Sequence, residues 1–242
     1  MTQPLSVFAV EGIGEVERGA DLAGLIIDAT DAMGSPLCDR DVVVVTQKVV
    51  SKAEGAMAEV DPTDPLSHKP LVEREAARVL RRRGDLLITE TVHGFVCANS
   101  GVDLSNVRRG TAALLPEDPD RSARRIRDAI SGRAGVTVGV VVSDTFGRPW
   151  RRGVTDVAIG CAGLRAVVDL RGTTDSFGRE LQVTEVAVVD EIAAAAELVM
   201  GKAAATPAAV VRGLTGSVFT EAGEQSGVVG DVVRHHHDDL FR

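Results

Sequence analysis

The chain has 242 residues, of which 44% are hydrophobic, so it can bury the core of one large domain or of two intertwined small ones. A formal net charge of −8 argues against a general nucleic-acid binder, because such proteins bind phosphate backbones with massed lysine and arginine. No apolar run approaches the roughly 20 residues that cross a membrane, and no signal-peptide pattern begins the chain. We therefore expect a cytoplasmic protein without nucleic-acid or membrane partners.

Apolar runs and amphipathic segments divide the first half of the chain. Four consecutive valines in residues 42–45 predict a strand that is buried on both faces. Asp21 is placed to begin a helix, and Arg81, Arg82 and Arg83 fit the C-terminal end of another, where cations complement the helix dipole. The predicted strands are residues 5–10, 41–50, 86–90 and 93–98, and the predicted helices are residues 20–33 and 71–83.

In the second half, Asp118 and Pro119 predict a helix start, because Asp is a good N-cap and Pro is tolerated in the first turn. Strands and helices mix without strict alternation, which favours an α+β fold over a doubly wound sheet. Residues 216–242 are richer in glycine and polar residues, so we treat them as a tail. The predicted strands are residues 136–142, 154–159, 166–170 and 207–211, and the predicted helices are residues 118–131 and 184–200.

Two acidic residues are candidates for a metal or phosphate site. Asp103 follows a glycine-containing turn, and Asp144 with Thr145 follows a hydrophobic strand, where polar residues tend to form sites. The alternative for Asp103 is an Asx turn, which needs the same residue types. The alternative at Asp144 is a turn with solvated arginines, although Arg148, Arg151 and Arg152 could bind phosphate or carboxylate groups.

Weaker signals come from glycines, lysines, histidines and cysteines. Gly12 and Gly14 could let the backbone approach a phosphate, and Lys48 and Lys52 could neutralise one, but a plain turn and solvated lysines explain them better. His93 fits a structural role better than a catalytic one, and residues 235–237, three histidines, fit a solvated tract better than a metal site. The cysteines lack metal-ligand spacing, so we expect small buried side chains at Cys38, Cys97 and Cys161.

Together, these segments resemble the coenzyme F420-0 gamma-glutamyl ligase family. The resemblance lies in five stretches that follow one another in order, and such a series is far more specific than one short motif. It is closest to the ligase half of longer actinobacterial chains, so two interpretations of residues 216–242 stay open: a linker to a flavin-dependent reductase domain, or the tail of a natural short form. The stretches are VVTQKVVSKAEG (44–55), HGFVCANSGVD (93–103), LPEDPD (115–120), SDTFGRPWR (143–151) and AAAELVMGK (194–202).

The resemblance implies a homodimer of an α+β fold, in which residues 1–215 form two interlocked mixed α/β subdomains. It implies that GTP phosphorylates the terminal carboxylate of coenzyme F420-0 and that the amine of L-glutamate attacks the acyl phosphate. Further glutamates would then be joined through gamma-carboxylates. The implied cofactor is Mg²⁺ or Mn²⁺, with K⁺ as a further candidate ion.

The resemblance also assigns residues. The implied metal ligands are Asp103, Asp144 and Thr145. The implied GTP contacts are Ile13, Gly14, Glu15, Val16, Gln47, Lys52 and Asn106, with a second nucleotide-contacting stretch at residues 200–207. Lys202 departs from the family pattern, because some relatives place a metal ligand in this stretch and a cationic lysine cannot serve as one.

Two rival functions remain open. One is a ligase of the same fold that acts on another carboxylate acceptor. The other is a GTP-binding module without catalysis, which a failure of Asp103 or Asp144 to bind metal would favour.

Overall fold

The computed structural model describes residues 4–202, 204–221 and 223–240. Residues 203, 222, 241 and 242, which belong to the predicted nucleotide-contacting stretch and tail, lie outside the described residues, as do residues 1–3. Helices accompany mixed sheets, so the predicted α+β class is confirmed. The strands are β1 (Ser6–Ala9), β2 (Val42–Thr46), β3 (Met57–Glu59), β4 (Ala76–Arg83), β5 (Leu86–Thr91), β6 (Val96–Ala98), β7 (Thr111–Ala113), β8 (Gly139–Gly147), β9 (Val154–Ala162), β10 (Val168–Asp169), β11 (Glu185–Val186) and β12 (Ala208–Arg212). The helices are α1 (Leu22–Ala32), α2 (Gln47–Glu54), α3 (Lys69–Glu75), α4 (Pro119–Ala134), α5 (Val188–Met200) and α6 (Val228–Asp231).

A five-stranded sheet in the order β1-β12-β2-β8-β9 forms the centre of the molecule. β2 and β8 are parallel, and the other neighbours are antiparallel. The four valines of β2 are each at most 1% exposed, so both faces of the sheet are covered, as the sequence predicted. Thr46 pairs with Ser143, which brings the end of β2 beside the polar part of β8.

Helices α4 and α5 pack on this sheet, and α1 packs against α4. Asp118 caps α4 by accepting a hydrogen bond from Arg121 N at 2.8 Å, which confirms the predicted helix start. The start of α4 lies directly on β9 at Gly160, where a Cβ atom would stand 2.3 Å from the carbonyl carbon of Pro119. Only glycine permits this approach.

Residues 57–113 form a smaller region between α2 and α4. It contains the β3-β7 pair, the β4-β5-β6 sheet and α3. Its own small core consists of Val72, Leu87, Val102 and Ala112. The loop between β6 and β7 carries Asp103 back to the edge of the central sheet.

Two predicted elements are wrong at their ends. The predicted strand 41–50 stops at Thr46, because α2 begins at Gln47 and runs to a left-handed cap at Gly55 (φ 78°). The valines at positions 49 and 50 follow three polar residues and resemble a resumed strand, which hid the change to a helix. The predicted helix 71–83 ends at Glu75, and its second half is β4, where Arg78 forms an ion pair with Glu90 of β5 at 2.8 Å. The three arginines therefore cap no helix.

Smaller differences concern lengths and burial. Residues 93–95 form a turn before β6, β10 has only two residues, and α5 begins at Val188 rather than at residue 184. β8 continues through Asp144 and Thr145, so these residues lie within a strand and not after it. Cys97 and Cys161 are buried as predicted, but Cys38 is exposed. Among the described residues, helices are too short or too polar to cross a bilayer.

Candidate active site

A cavity of about 1150 Å³ opens at the edge of the central sheet, beyond the end of β2. The loop after β1, the start of α2, the end of α5 and the loop between β6 and β7 contribute its walls. This volume suits a nucleotide together with a second ligand. The cavity brings together every residue that the resemblance singled out as a metal ligand or GTP contact: Ile13, Gly14, Glu15, Val16, Gln47, Lys52, Asp103, Asn106, Asp144 and Thr145.

Asp103 is held by a lysine and by its own turn. Lys48 Nζ lies 2.9 Å from Asp103 Oδ2, and Ser105 N donates a hydrogen bond to Asp103 Oδ1 at 2.7 Å. The second bond confirms the Asx-turn geometry, which leaves a ligand role open. Burial favours the neutral acid, but the bonds from Lys48 and Ser105 outweigh it and lower the pKa of Asp103 below its ordinary value.

Asp144 lies in a different environment. Thr145 N donates a hydrogen bond to its Oδ1 at 2.8 Å, and no described cation forms a salt bridge with it. Burial raises the pKa of Asp144 to about 7, and the negative charge of Asp103 adds to the rise. Lys202 lowers the pKa of Asp144 from a longer distance, but among the described residues the carboxylate has no direct ion-pair partner.

Thr145 and Ser143 converge on Asp156, a buried residue of β9 that sequence reasoning missed. Thr145 Oγ1 donates to Asp156 Oδ1 at 2.7 Å, and Ser143 Oγ donates to Asp156 Oδ2 at 2.9 Å. Thr145 and Asp156 are direct partners in the β8-β9 register. An isolated Asp in an apolar strand gives little local signal, and only this register places it at the site.

Gln47 and Lys52 are already engaged within the protein. Gln47 Nε2 donates to Leu114 O at 2.8 Å and to Ser51 Oγ at 3.1 Å, which ties α2 to the segment after β7. Lys52 Nζ forms an ion pair with Glu15, a residue of the predicted nucleotide loop. A phosphate at this wall would therefore compete with Glu15 for the lysine.

The loop around Asn106 meets the segment after α5. Asn106 Nδ2 donates to Lys202 O at 3.3 Å, which connects the smaller region to the central one. The Lys202 side chain lies within electrostatic reach of both Asp144 and Glu197. Burial and the nearby Asp156 raise the pKa of Glu197, a cavity residue to which sequence reasoning gave no role.

Several other candidates lie outside the cavity. Arg148, Arg151 and Arg152 follow β8 on the exposed surface, so the predicted phosphate-binding arginines are not at this site. Arg18 and Arg108 line the cavity instead.

The histidines are also elsewhere. His93 Nε2 lies 3.1 Å from Glu117 O, and its ring stacks with Phe95, which fits a structural role. His235 to His237 are exposed.

The donor set at Asp103 and Asp144 fits a hard divalent cation. In the described part of the chain, no three His, Cys, Asp or Glu side chains are arranged to hold a metal ion by themselves. Mg²⁺ commonly uses one or two carboxylates and completes its shell with water and substrate phosphates. Such a cation would supply the direct ion-pair partner that Asp144 lacks among the described residues.

The sequence is similar to known ligases along nearly its whole length. The F420-0:Gamma-glutamyl ligase family model matches residues 12–213. The chain is 40% identical to the coenzyme F420:L-glutamate ligase of Methanothermobacter thermautotrophicus, over 98% of this chain and 99% of that protein. It is 42% identical to the coenzyme F420:L-glutamate ligase of Methanopyrus kandleri, over 94% of each chain. It is 39% identical to that of Methanocaldococcus jannaschii, over 86% of each chain.

Proposed function

The chain belongs to the F420-0:gamma-glutamyl ligase family as one of its enzymes, and from this premise we propose that it joins L-glutamate to coenzyme F420-0 with GTP as the energy source. The observation that carries the proposal is the cavity, which gathers two carboxylates, cationic side chains and an open glycine-containing loop. An acid that is activated by phosphorylation needs such a combination, because two polyanions must be held side by side.

In the first step, a carboxylate oxygen of F420-0 attacks the γ-phosphorus of GTP. The bond from the γ-phosphorus to the bridging oxygen breaks, GDP leaves, and an acyl phosphate remains. Lys48, Lys52, Arg18 and Arg108 line the cavity and supply positive charge for the phosphates. A Cβ atom at Gly14 would meet nothing within 4 Å, so the backbone at this position is open to a ligand.

Asp103, Asp144 and Thr145 would hold the divalent ion, Mg²⁺ or Mn²⁺, with K⁺ as a further candidate. Such an ion supplies Lewis-acid neutralisation of the phosphate charge. Asp156 keeps the Thr145 hydroxyl oriented through the 2.7 Å hydrogen bond, which leaves lone pairs on the threonine oxygen for a ligand.

In the second step, the glutamate amine attacks the acyl carbon, an amide forms and phosphate leaves. When both steps are repeated on the gamma-carboxylate of the newly added glutamate, a gamma-linked chain of glutamates forms. The homodimer that the resemblance implies is part of the same proposal, and light scattering on the purified protein tests it.

The direct test incubates the protein with F420-0, GTP, Mg²⁺ or Mn²⁺ and L-glutamate and follows the product by mass spectrometry. We expect the mass of one or more glutamyl units to appear together with GDP. GDP release without added glutamyl mass on F420-0, but with added glutamyl mass on another carboxylic acid, would favour a ligase of the same fold that acts on a different acceptor. GTP binding without turnover on any acceptor would favour the non-catalytic module.

A further inference from the structure

Glu197 lies in the last turn of α5 and lines the cavity beside Asp156 and Lys202. Its side chain is partly buried. Within the described residues, its carboxylate accepts no hydrogen bond and forms no salt bridge, although its backbone oxygen accepts the capping bond from Gly201 N at 2.9 Å. The nucleotide and metal assignments leave this acid unused.

Three features of the surroundings make this carboxylate a receptor for a cation. Burial raises its pKa, the charge of Asp156 raises it further, and the negative end of the α5 dipole acts in the same direction. Lys202 opposes them by favouring the ionised form. The result is an ionisable acid that gains from an incoming ammonium group and is more basic than an ordinary glutamate.

We infer that Glu197 binds the ammonium group of the incoming L-glutamate and accepts a proton from it. The inference rests on the proposed ligase function, in which the attacking amine must first lose its positive charge. One proton passes from the ammonium to Glu197, and the nitrogen lone pair forms the C–N bond. The C–O bond to phosphate then breaks, and the second amine proton leaves on hydrogen phosphate. Glu197 is thus a catalytic residue of the amide-forming step alone.

The test separates the two steps with two nucleophiles. Hydroxylamine is largely uncharged at neutral pH, so it traps an acyl phosphate as a hydroxamate without needing a base. We expect Glu197→Gln to form hydroxamate from F420-0 and GTP at close to the wild-type rate. With L-glutamate, the same variant should lose about 100-fold in rate, the usual contribution of a general base. Its rate should rise roughly tenfold per pH unit with the fraction of free amine, where the wild-type rate levels off.

Two further variants sharpen the result. Glu191→Gln changes an exposed acid on the same helix and should leave both rates unchanged. Glu197→Asp retains a carboxylate and should restore part of the glutamate rate. An equal loss with both nucleophiles, or no loss with glutamate, would overturn the assignment of Glu197. A wild-type protein that forms no GTP-dependent hydroxamate would overturn the acyl-phosphate route and this inference with it.

Discussion

Asp103 and Asp144 line the same cavity, yet the two regions that carry them shift the pKa of the carboxyl group in opposite directions. Asp103 stands on a loop of the smaller region, where Lys48 and Ser105 N already stabilise its charge. Asp144 stands in a central strand, where burial favours its neutral form and no described cation pairs with it.

The comparison shows where the site lacks positive charge. Asp103 is ionised at any pH near neutrality, because its pKa is lowered. Burial raises the pKa of Asp144 to about 7, so a bound cation would change the ionisation of this residue more than that of Asp103. Asp103 on the loop is therefore ionised before a cation binds. Near neutral pH, Asp144 in the strand becomes fully ionised only when a cation is bound beside it.

The largest effect is expected from removing the strand carboxylate. Asp144→Ala should leave the fold intact and reduce glutamate-dependent GDP release by about a thousandfold, because a metal site contributes several kcal/mol to such a step. The measurement is GDP release at saturating Mg²⁺ or Mn²⁺, with circular dichroism to verify folding.

Asp28→Ala provides the matched control, since Asp28 is an exposed acid on α1. It should retain wild-type turnover. Wild-type turnover in Asp144→Ala as well would show that the metal assignment is wrong.

The second prediction concerns stability without ligand. Asp144 has a pKa of about 7 in the folded protein against an ordinary value of 3.8, so between these values folding takes up a proton. Wild-type stability should therefore fall as the pH rises through this window. Asp144→Asn has no carboxyl group to titrate, and its side-chain oxygen can still accept the hydrogen bond from Thr145 N. It should exceed the wild type by about 2 kcal/mol in free energy of unfolding above pH 7, after discounting for partial exposure.

Urea unfolding at a series of pH values measures this difference. The advantage of Asp144→Asn should shrink towards zero near pH 4. A difference that does not change with pH would mean that the substitution acts through packing and not through the proton.

Much of this architecture could be predicted from the sequence, and the failures have physical reasons. The valine run of β2 and the Asp118 cap of α4 are local signals, and both predictions are confirmed. The start of α2 at Gln47 was missed because Val49 and Val50, which lie in the helix, look like part of the valine-rich strand. β4 was missed because its backbone pairs with the following strand, β5, a contact that the helix-like local pattern does not reveal.

The site divides in the same way. Motif residues such as Asp103 and Asp144 were singled out, and the structure places them at one cavity. Asp156 depends on the β8-β9 register, and Glu197 depends on where the last turn of α5 ends, so neither follows from local sequence. The roles of Asp144 and Glu197 stay predictions that their variants test.

The third prediction concerns a variant without the lysine beside Asp103, in which the difference in ionisation between Asp103 and Asp144 should become smaller. In the wild type, only Asp144 should compete with protons for Mn²⁺ below pH 7, so affinity should fall about tenfold per pH unit. Without the Lys48 charge, burial raises the pKa of Asp103. In Lys48→Met the slope at acidic pH should therefore be steeper than one proton, while affinity at pH 8 should increase because the site is more negative.

Titration of Mn²⁺ binding by electron paramagnetic resonance gives these slopes. Lys48→Arg keeps the charge and should retain a slope near one proton. Identical slopes in all three proteins would show that Lys48 does not set the ionisation of Asp103.

The smallest effect is expected where the two regions touch, at the 3.3 Å bond from Asn106 Nδ2 to Lys202 O. Asn106 has a left-handed backbone (φ 53°), which asparagine and glycine tolerate better than alanine. Asn106→Gly should therefore lose only the side-chain bond and raise the KM for GTP about threefold. Asn106→Ala should show the same KM change and also lose about 1 kcal/mol of stability, since alanine is strained in this conformation. Steady-state kinetics and urea unfolding of the pair separate the contact from the strain, and an unchanged KM in both variants would remove Asn106 from the nucleotide site.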